Sequence, residues 1–302
     1  MAGHTILVTG GTGQVGLELL HQPWPAEVTV LAPGRDALDL ASRESIAAWF
    51  AGRTVDCIIN PAAYTAVDLA EDNVGAAFLA NAQCPAWLAD IARERNIPLL
   101  HVSTDYVFDG ALDRPYREDD PVAPLGVYGA SKLAGELAIR AGAPRHVILR
   151  TAWVISAQRN NFLKTMLRLA GERPELRVVA DQHGCPTAAG DIAAVLQTIA
   201  LAHLADAGAP CGTYHFVNAG STTWHGLAEA IMAASAAHGG PNVPVIPIGS
   251  SEFPQKARRP ANSRLDTGLL ARDFGITPRP WQTVVDEIVG EVVAQQQART
   301  SA

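Results

Sequence analysis

Cysteine is scarce in this sequence, and its four copies lie far apart. Cys57, Cys84, Cys185 and Cys211 form no C-x-x-C pair. Structural zinc sites and disulfide frameworks both need cysteines at short, characteristic spacings. We therefore expect neither of them, and we predict a reduced protein of the cytoplasm.

An excess of basic charge is also absent. The 302 residues carry 23 Lys and Arg against 30 Asp and Glu, a net charge of -7. Nucleic acids and anionic membranes are bound through clustered Lys and Arg, which replace counterions. The composition argues against a nucleic-acid partner and against a membrane-surface protein, and the remaining expectation is a small-molecule partner.

Long apolar runs are missing as well. No apolar, uncharged stretch approaches the ~20 residues that a bilayer-spanning helix needs. Residues 1–9 lack a basic segment followed by a long apolar one, which is the pattern of an export signal. We predict neither a membrane span nor a signal peptide.

The first half of the chain alternates short apolar runs with longer helical segments. The runs are rich in β-branched residues and bounded by turn residues, as in strands buried on both faces of a parallel sheet. They fall at residues 5–9, 28–31, 55–60, 98–103 and 146–150, with helices predicted at 15–21, 42–50, 74–96 and 128–140. This alternation predicts an α/β fold with a doubly wound parallel sheet, the Rossmann type.

The pattern changes after about Thr151. Helices are predicted at residues 162–171, 191–205 and 224–236, a further strand at 213–217, and an irregular proline-rich passage at 241–260. We predict a dinucleotide-binding domain formed by residues 1–155 with 186–217. A smaller, mainly C-terminal substrate domain would consist of residues 156–185 with 218–302.

A glycine loop follows the first predicted strand and opens the first helix. Gly10, Gly13 and Gly16 form G-x-x-G-x-x-G. Glycines permit a tight turn and close backbone approach to a pyrophosphate, which the helix N-terminus attracts. The acidic residue that often ends the second strand is absent, and Arg35 stands nearby. Arginine can pair with the 2'-phosphate of NADPH, which favours NADPH over NADH. The alternative, that Arg35 is a solvated surface residue with no cofactor contact, is equally consistent with the sequence.

A tyrosine and a lysine four residues apart predict the catalytic centre. Tyr128 and Lys132 form Y-x-x-x-K, and an i, i+4 spacing puts both on one face of a helix. A neighbouring ammonium would lower the pKa of the phenol, which is near 10 in water. Thr104 follows the fourth strand at the carboxyl edge of the sheet, where ligands bind in such folds, and its hydroxyl could hold a carbonyl oxygen.

Several runs beyond these motifs resemble the dTDP-4-dehydrorhamnose reductases, a family of extended short-chain dehydrogenases. They extend over nearly the whole chain, and the most specific are residues 103–110 (STDYVFDG) and 259–263 (RPANS). The others are residues 60–68, 128–132, 151–153, 186–187 and 212–215.

The resemblance implies hydride transfer from NADPH or NADH to C4 of dTDP-4-dehydro-L-rhamnose, giving dTDP-L-rhamnose. Tyr128 would protonate the alkoxide, Lys132 would hold the ribose, and Thr104 would position the carbonyl. Asp105 and Trp153 would contact the sugar. The cofactor-binding residues carried over from the family are Gly13, Gln14, Val15, Asp39, Leu40, Ala62, Ala63, Tyr64 and Thr65.

The same resemblance suggests a homodimer with a metal site. Some family members bind Mg2+ at a dimer interface through acidic side chains. The counterparts by position are Glu18, Asp191 and Glu291. Three scattered carboxylates are otherwise typical of solvated surface groups.

Other functions remain open at this point. Related dehydratases carry an Asp-Glu pair after the threonine, because loss of water needs a further acid and base, whereas Tyr106 follows Asp105 here. Another nucleotide-sugar 4-ketoreductase or epimerase remains an alternative. So does a non-catalytic NADP-binding protein resembling the regulatory subunit of methionine adenosyltransferase. The histidines show no metal-binding spacing, and His101 is expected to be hydrogen-bonded in the interior or exposed.

Overall fold

The computed structural model describes residues 3–300 of the chain. Short strands and longer helices alternate through the first half, as the sequence pattern predicts. Within the described residues the strands are β1 His4–Val8, β2 Val28–Leu31, β3 Cys57–Asn60, β4 Leu99–Thr104, β5 His146–Thr151, β6 Val154–Ile155, β7 Leu176–Val179, β8 His183–Gly184, β9 Thr187–Ala188, β10 Gly212–His215, β11 Thr222–Thr223 and β12 Val245–Ile248.

The helices of the same residues follow the predicted order, with additions at residues 67–70 and after residue 260. They are α1 Gln14–His21, α2 Arg43–Phe50, α3 Val67–Ala70, α4 Val74–Phe78, α5 Cys84–Arg95, α6 Val127–Gly142, α7 Phe162–Ala170, α8 Ala189–Ala205, α9 Trp224–Ala237, α10 Gly268–Phe274 and α11 Trp281–Thr300. No helix within residues 3–300 has the length and apolar character that a membrane span requires.

Six strands form a central sheet in which all neighbours are parallel. The order is β2-β1-β3-β4-β5-β10. The chain leaves β1 in one direction to form β2 and returns on the other side of β1 to form β3, so the winding reverses between β1 and β3. Ligands bind at such a reversal, at the carboxyl ends of the strands. The predicted doubly wound α/β fold is confirmed.

Apolar side chains cover both faces of this sheet. On one face, Val15 and Leu19 of α1 and Ile192 of α8 pack against the strands. On the other, Phe50 of α2 and Leu88 of α5 belong to a second cluster. A strand with both faces covered is mainly apolar, and β3 is buried at every position, with only its last residue, Asn60, polar.

A third apolar cluster lies under the C-terminal half of the chain. It joins helices α7, α9 and α11 with strand β7, which pairs with β12. Strand β12 lies within the passage predicted to be irregular with short extended pieces. This cluster also contains Trp153, which places it next to the carboxyl edge of the central sheet.

The helix predicted at residues 74–96 is interrupted. A π-helical turn, Leu79–Gln83, separates α4 from α5. Asn81 in this turn is buried, and its side chain bonds both backbone groups of Tyr64 and the hydroxyl of Ser131. Inserted turns of this kind are frequent at functional sites. Here the insertion ties the loop after β3 to helix α6.

Candidate active site

A cavity of about 710 Å³ opens at the carboxyl edge of the sheet, where the winding reverses. The loop after β1 lines it on one side and the loop after β3 on another. The ends of β4 and β5 and the first turns of α6 complete the wall. The fold thus brings segments that are distant in sequence to one site.

The glycine loop forms the part of this wall that fits a dinucleotide. Gly10 has a φ of +58°, a conformation that suits glycine, and a Cβ at this position would lie 2.9 Å from Ala62 Cα. A Cβ on Gly16 would lie 2.2 Å from the carbonyl oxygen of Gly10. Helix α1 begins directly after Gly13 without a side-chain cap. Its first N–H groups are therefore available to an anion such as a pyrophosphate.

Thr104, Tyr128 and Lys132 meet in the same cavity. Thr104 ends β4, and the other two lie one turn apart at the start of α6. The Thr104 hydroxyl donates a hydrogen bond to Asp105 Oδ1 at 2.9 Å and accepts one from the backbone N–H of Tyr106 at 3.2 Å. The three predicted catalytic side chains are thus close enough to act on one ligand.

The structure corrects the predicted acidity of Tyr128. Removal from bulk water raises the pKa of its phenol to about 12, and the hydrogen bond with Thr104 lowers it less. The charge of Asp105 raises it further. The phenol therefore stays protonated at neutral pH, contrary to the predicted acidification, because removal from water is the largest influence on its pKa. A protonated phenol is the form that a proton donor requires.

Lys132 is buried beside Tyr128. Its Nζ donates a hydrogen bond to the carbonyl oxygen of Val102 at 2.7 Å and lies 3.1 Å from His101 Nε2. Burial lowers the pKa of the ammonium to about 8, and the charge of Glu136 offsets only part of that shift. Lys132 is therefore mostly charged at neutral pH, but only by a small margin.

Asp105 is a buried carboxyl group in the wall of the cavity. Burial raises its pKa to about 6, and hydrogen bonds from Ser263 and Thr104 offset only part of that shift. Its Oδ2 is buried and has no hydrogen-bond partner among residues 3–300. Asp105 lines the cavity, and a carboxylate oxygen without a partner is suited to accept a hydrogen bond from a ligand hydroxyl.

Asp105 should make the stability of the protein fall as the pH rises. The folded state holds its proton up to about pH 6, whereas the unfolded chain loses it near 3.8, so deprotonation costs about 3 kcal/mol between these values. We expect Asp105→Asn to be more stable than the wild type at pH 7.5, with the advantage vanishing at about pH 3.5. Urea unfolding at both pH values measures this. Equal pH dependence in both proteins would contradict it.

Aromatic rings form the far end of the cavity. Trp153, with a φ of +47°, stacks on Trp224 with ring centroids 3.6 Å apart. A Cβ on Gly184 would lie 2.3 Å from Trp153 Cε2, so glycine is needed on the other side of the ring. Phe162 packs against Trp224. These three aromatic residues make this part of the cavity wall apolar.

A second cavity of about 420 Å³ adjoins the first. Tyr106, Phe162 and Trp224 line both cavities, so the two share a wall. Arg173 and Arg259 are among the residues around the second one. An elongated ligand with an anionic part could therefore extend from the first cavity into the second.

Comparisons with known proteins agree with this geometry. A family model described as "RmlD substrate binding domain" matches residues 4–294. The dTDP-4-dehydrorhamnose reductase of Sinorhizobium fredii is 43% identical over 285 residues, covering 94% of this chain and 96% of that protein. The chain belongs to the dTDP-4-dehydrorhamnose reductase family. The Burkholderia thailandensis protein of that name is 43% identical over 298 residues, covering 96% of this chain and 99% of its own.

Solved structures of dTDP-4-dehydrorhamnose reductases share the fold. The Bacillus anthracis protein, solved in complex with NADP, has a TM-score of 0.88 at 32% identity and covers 96% of this chain and 99% of its own. The Clostridium acetobutylicum protein has a TM-score of 0.88 at 34% identity. It covers 97% of this chain and 99% of its own. The family resemblance stated from the sequence motifs is confirmed.

Most of the residues that the family resemblance implicates lie around the first cavity. Besides the catalytic three, those in its wall are Gly10, Gly13, Gln14, Val15, Gly16, Ala62, Ala63, Thr65, Asp105 and Trp153. Their individual roles in this chain remain predictions. Their common location follows from the topology, because the loops after β1, β3 and β4 all end at one edge of the sheet.

Four predicted cofactor residues lie outside that wall: Arg35, Asp39, Leu40 and Tyr64. The Arg35 side chain is 81% exposed and forms an ion pair with Asp39. Leu40 packs against the apolar cluster of α2 and α5, and the Tyr64 backbone is held by Asn81. An ion pair this exposed is weak, and a contact of Arg35 with a 2'-phosphate stays a prediction.

The predicted Mg2+ site finds no support among residues 3–300, which contain no group of three His, Cys, Asp or Glu that could hold a metal. The Asp191 carboxylate already has two partners. It forms an ion pair with Arg279 at 2.8 Å and accepts a hydrogen bond from Asn218 at 2.6 Å. Burial raises the pKa of Glu18, and the nearby charge of Glu291 adds to the shift. The Mg2+ site and its three carboxylates therefore stay a prediction without support from the described chain.

The sequence motifs missed part of the cavity wall. Gln14 Oε1 accepts hydrogen bonds from Ser156 and Asn161, and Arg159 Nε donates to the carbonyl oxygen of Thr12 at 2.6 Å. These contacts join the glycine loop to the segment before α7. The positive φ of Arg159, +55°, has no signature in the sequence, so only the fold reveals this connection.

Proposed function

We propose that this protein reduces the C4 ketone of dTDP-4-dehydro-L-rhamnose to dTDP-L-rhamnose with NADPH. The proposal depends on one observation: the glycine loop, Thr104, Tyr128 and Lys132 all line a single cavity. The names of the relatives support the substrate, and the NADP complex of the Bacillus anthracis protein supports the cofactor.

The residues of this chain have separate roles in that reaction. When bound, the reduced nicotinamide supplies a hydride to the ketone carbon. The protonated phenol of Tyr128 donates a proton to the oxygen as its negative charge develops, and the Thr104 hydroxyl orients the same oxygen. The Lys132 ammonium stabilises the phenolate that remains and holds the cofactor ribose. This is proton and hydride transfer to one carbonyl group, and it needs no further acid or base.

The aromatic end of the cavity supports a sugar-nucleotide substrate. Trp153 and Trp224 would contact the sugar, and Asp105 Oδ2 would accept a hydrogen bond from one of its hydroxyls. Arg173 and Arg259 would then lie near the anionic diphosphate in the second cavity. Under this proposal residues 156–185 with 218–302 act as the substrate domain, and residues 1–155 with 186–217 bind the dinucleotide. The homodimer and the cytoplasmic location remain predictions.

Turnover with the purified substrate tests the proposal. The substrate is generated enzymatically, and oxidation of NADPH and of NADH is followed by the loss of nicotinamide absorbance. We expect oxidation that depends on the sugar and a higher kcat/KM with NADPH. Binding of NADPH without any oxidation would instead indicate the non-catalytic regulatory protein. Turnover only with a different 4-keto nucleotide sugar would identify another ketoreductase.

A further inference from the structure

Arg159 is a positively charged side chain in the wall of the first cavity, and the reaction described above does not use it. It lies between β6 and α7 and is exposed. Its Nε donates a hydrogen bond to the carbonyl oxygen of Thr12 at 2.6 Å, across 147 positions of sequence. The fold thus brings this charge to the glycine loop, the part of the wall that fits a pyrophosphate.

The backbone of Arg159 is strained. Its φ of +55° lies in the left-handed region, which side chains other than those of Asn and Asp adopt uncommonly. Strain of this kind persists where the surroundings hold it, and it is concentrated at ligand-binding sites. Here Asn161 holds the turn, because its Nδ2 donates to the carbonyl oxygen of Ser156 at 2.7 Å and to Gln14 Oε1 at 2.9 Å. The turn is therefore fixed to the start of α1.

The charge of Arg159 is not neutralised by a carboxylate. Arg35 and Arg279 pair with acidic side chains, whereas Arg159 has none within ion-pair distance among residues 3–300. Its two terminal nitrogens, Nη1 and Nη2, donate no hydrogen bond inside the described part of the chain. Their N–H groups and the positive charge are thus available to a ligand.

The charged residues of the first cavity are divided between two places. Lys132 and Asp105 lie beside the catalytic hydroxyls, and Arg159 is the third charged residue that the described chain contributes to the wall. At the glycine loop the wall otherwise offers the uncapped backbone N–H groups of α1. A pyrophosphate carries negative charge on both phosphates, and a guanidinium binds phosphate oxygens through paired N–H donors. The two groups are complementary in charge and in geometry.

We propose that Arg159 is a cofactor-binding residue: held against the glycine loop by the Thr12 carbonyl, its guanidinium donates hydrogen bonds to the pyrophosphate of the dinucleotide. The inference rests on the proposed function in one respect, that the cavity takes a dinucleotide, and it does not need the sugar substrate. It adds a charged contact to the backbone N–H groups of α1, and it gives the strained turn a function.

Two substitutions separate the charge from the structural connection. Arg159→Gln removes the charge and keeps an N–H donor for the Thr12 carbonyl. Arg159→Gly removes both, and glycine suits a φ of +55°, so its Tm should stay within a few degrees of the wild type. Fluorescence titration should show NADPH binding weakened about tenfold in both variants, as expected for loss of a charge-assisted hydrogen bond. Added NaCl should weaken NADPH binding less in the variants than in the wild type.

Arg53→Gln is the matched control. Arg53 is also exposed and also donates to a backbone carbonyl, that of Trp49 at 2.6 Å, but it lies before β3 at the opposite edge of the sheet. This variant should bind NADPH like the wild type. Wild-type affinity in Arg159→Gln would overturn the proposal, because the arginine would then act only through its hydrogen bond to Thr12.

Three ligands identify the phosphate group that Arg159 contacts. NADH and NADPH share the pyrophosphate and only NADPH has a 2'-phosphate, so Arg159→Gly should weaken the binding of both equally. dTDP carries the diphosphate of the proposed substrate, and calorimetric titration should show its binding unchanged. A loss confined to NADPH, or a loss of dTDP binding, would overturn the assignment to the pyrophosphate. A wild-type protein that binds NADPH and turns over no sugar would instead contradict the proposed function and leave this inference standing.

Discussion

Replacing Tyr128 with phenylalanine is expected to reduce kcat by about 10³-fold, the usual contribution of a positioned general acid. The phenol is protonated at neutral pH because burial raises its pKa to about 12. It is the hydroxyl beside Thr104 that can deliver a proton to the ketone oxygen, and phenylalanine removes that hydroxyl while keeping the ring. Steady-state NADPH oxidation measures the loss, and fluorescence titration should show NADPH binding within about threefold of the wild type.

Tyr106→Phe is the neighbouring control for this prediction. The Tyr106 ring contacts that of Tyr128 edge to face, with centroids 5.5 Å apart, and it also lines the cavity. Burial raises the pKa of both phenols, but the hydrogen bond with the Thr104 hydroxyl belongs to Tyr128. We expect this variant to lose less than about tenfold in kcat. Equal losses in the two variants would show that Tyr128 is not the specific proton donor.

The sequence was sufficient for the central sheet because its physical signal is local. Residues 6–8 and 147–149 are continuous, fully buried apolar runs, which a strand needs when helices cover both of its faces. The glycine loop and the i, i+4 pair of Tyr128 and Lys132 are also local patterns. Topology then places them together, since parallel strands expose their carboxyl ends at one edge.

Features that depend on contacts between residues distant in sequence could not be predicted from local patterns. Trp224 is stacked on Trp153 across 71 positions of sequence, and no periodicity indicates that pairing. The π-helical turn at Leu79–Gln83 exists because Asn81 bonds Tyr64 and Ser131, which is a tertiary reason. The raised pKa of Tyr128 likewise depends on burial, which the sequence motif does not specify. In each case the missing information was the environment of the side chain.

A substitution in the glycine loop, Gly16→Ala, is expected to have the second large effect. The backbone of Gly16 in α1 lies directly against the backbone of residues 10 and 11. A Cβ there would be 2.2 Å from the carbonyl oxygen of Gly10 and 2.8 Å from Gly11 Cα, and backbone atoms cannot move aside as a flexible side chain can. Helix α1 would have to shift away from the loop. Overpacking of this kind costs about 1–3 kcal/mol, so we expect Gly16→Ala to weaken NADPH binding by about 10- to 100-fold.

Gly75→Ala provides the matched comparison, since Gly75 lies in α4 and a Cβ there would meet nothing within 4 Å. Alanine in an open helical position is neutral or stabilising by up to about 1 kcal/mol, so this variant should bind NADPH like the wild type. The substitution Gly16→Ala can lose NADPH binding through a local shift of α1 or through general unfolding. Fluorescence titration with NADPH and thermal unfolding of both variants distinguish these two causes. A shifted α1 lowers NADPH affinity while the Tm falls by only a few degrees, whereas general unfolding abolishes binding and lowers the Tm much further. Wild-type affinity and Tm in Gly16→Ala would mean that the loop yields to the added methyl group and does not form a rigid cradle for the pyrophosphate.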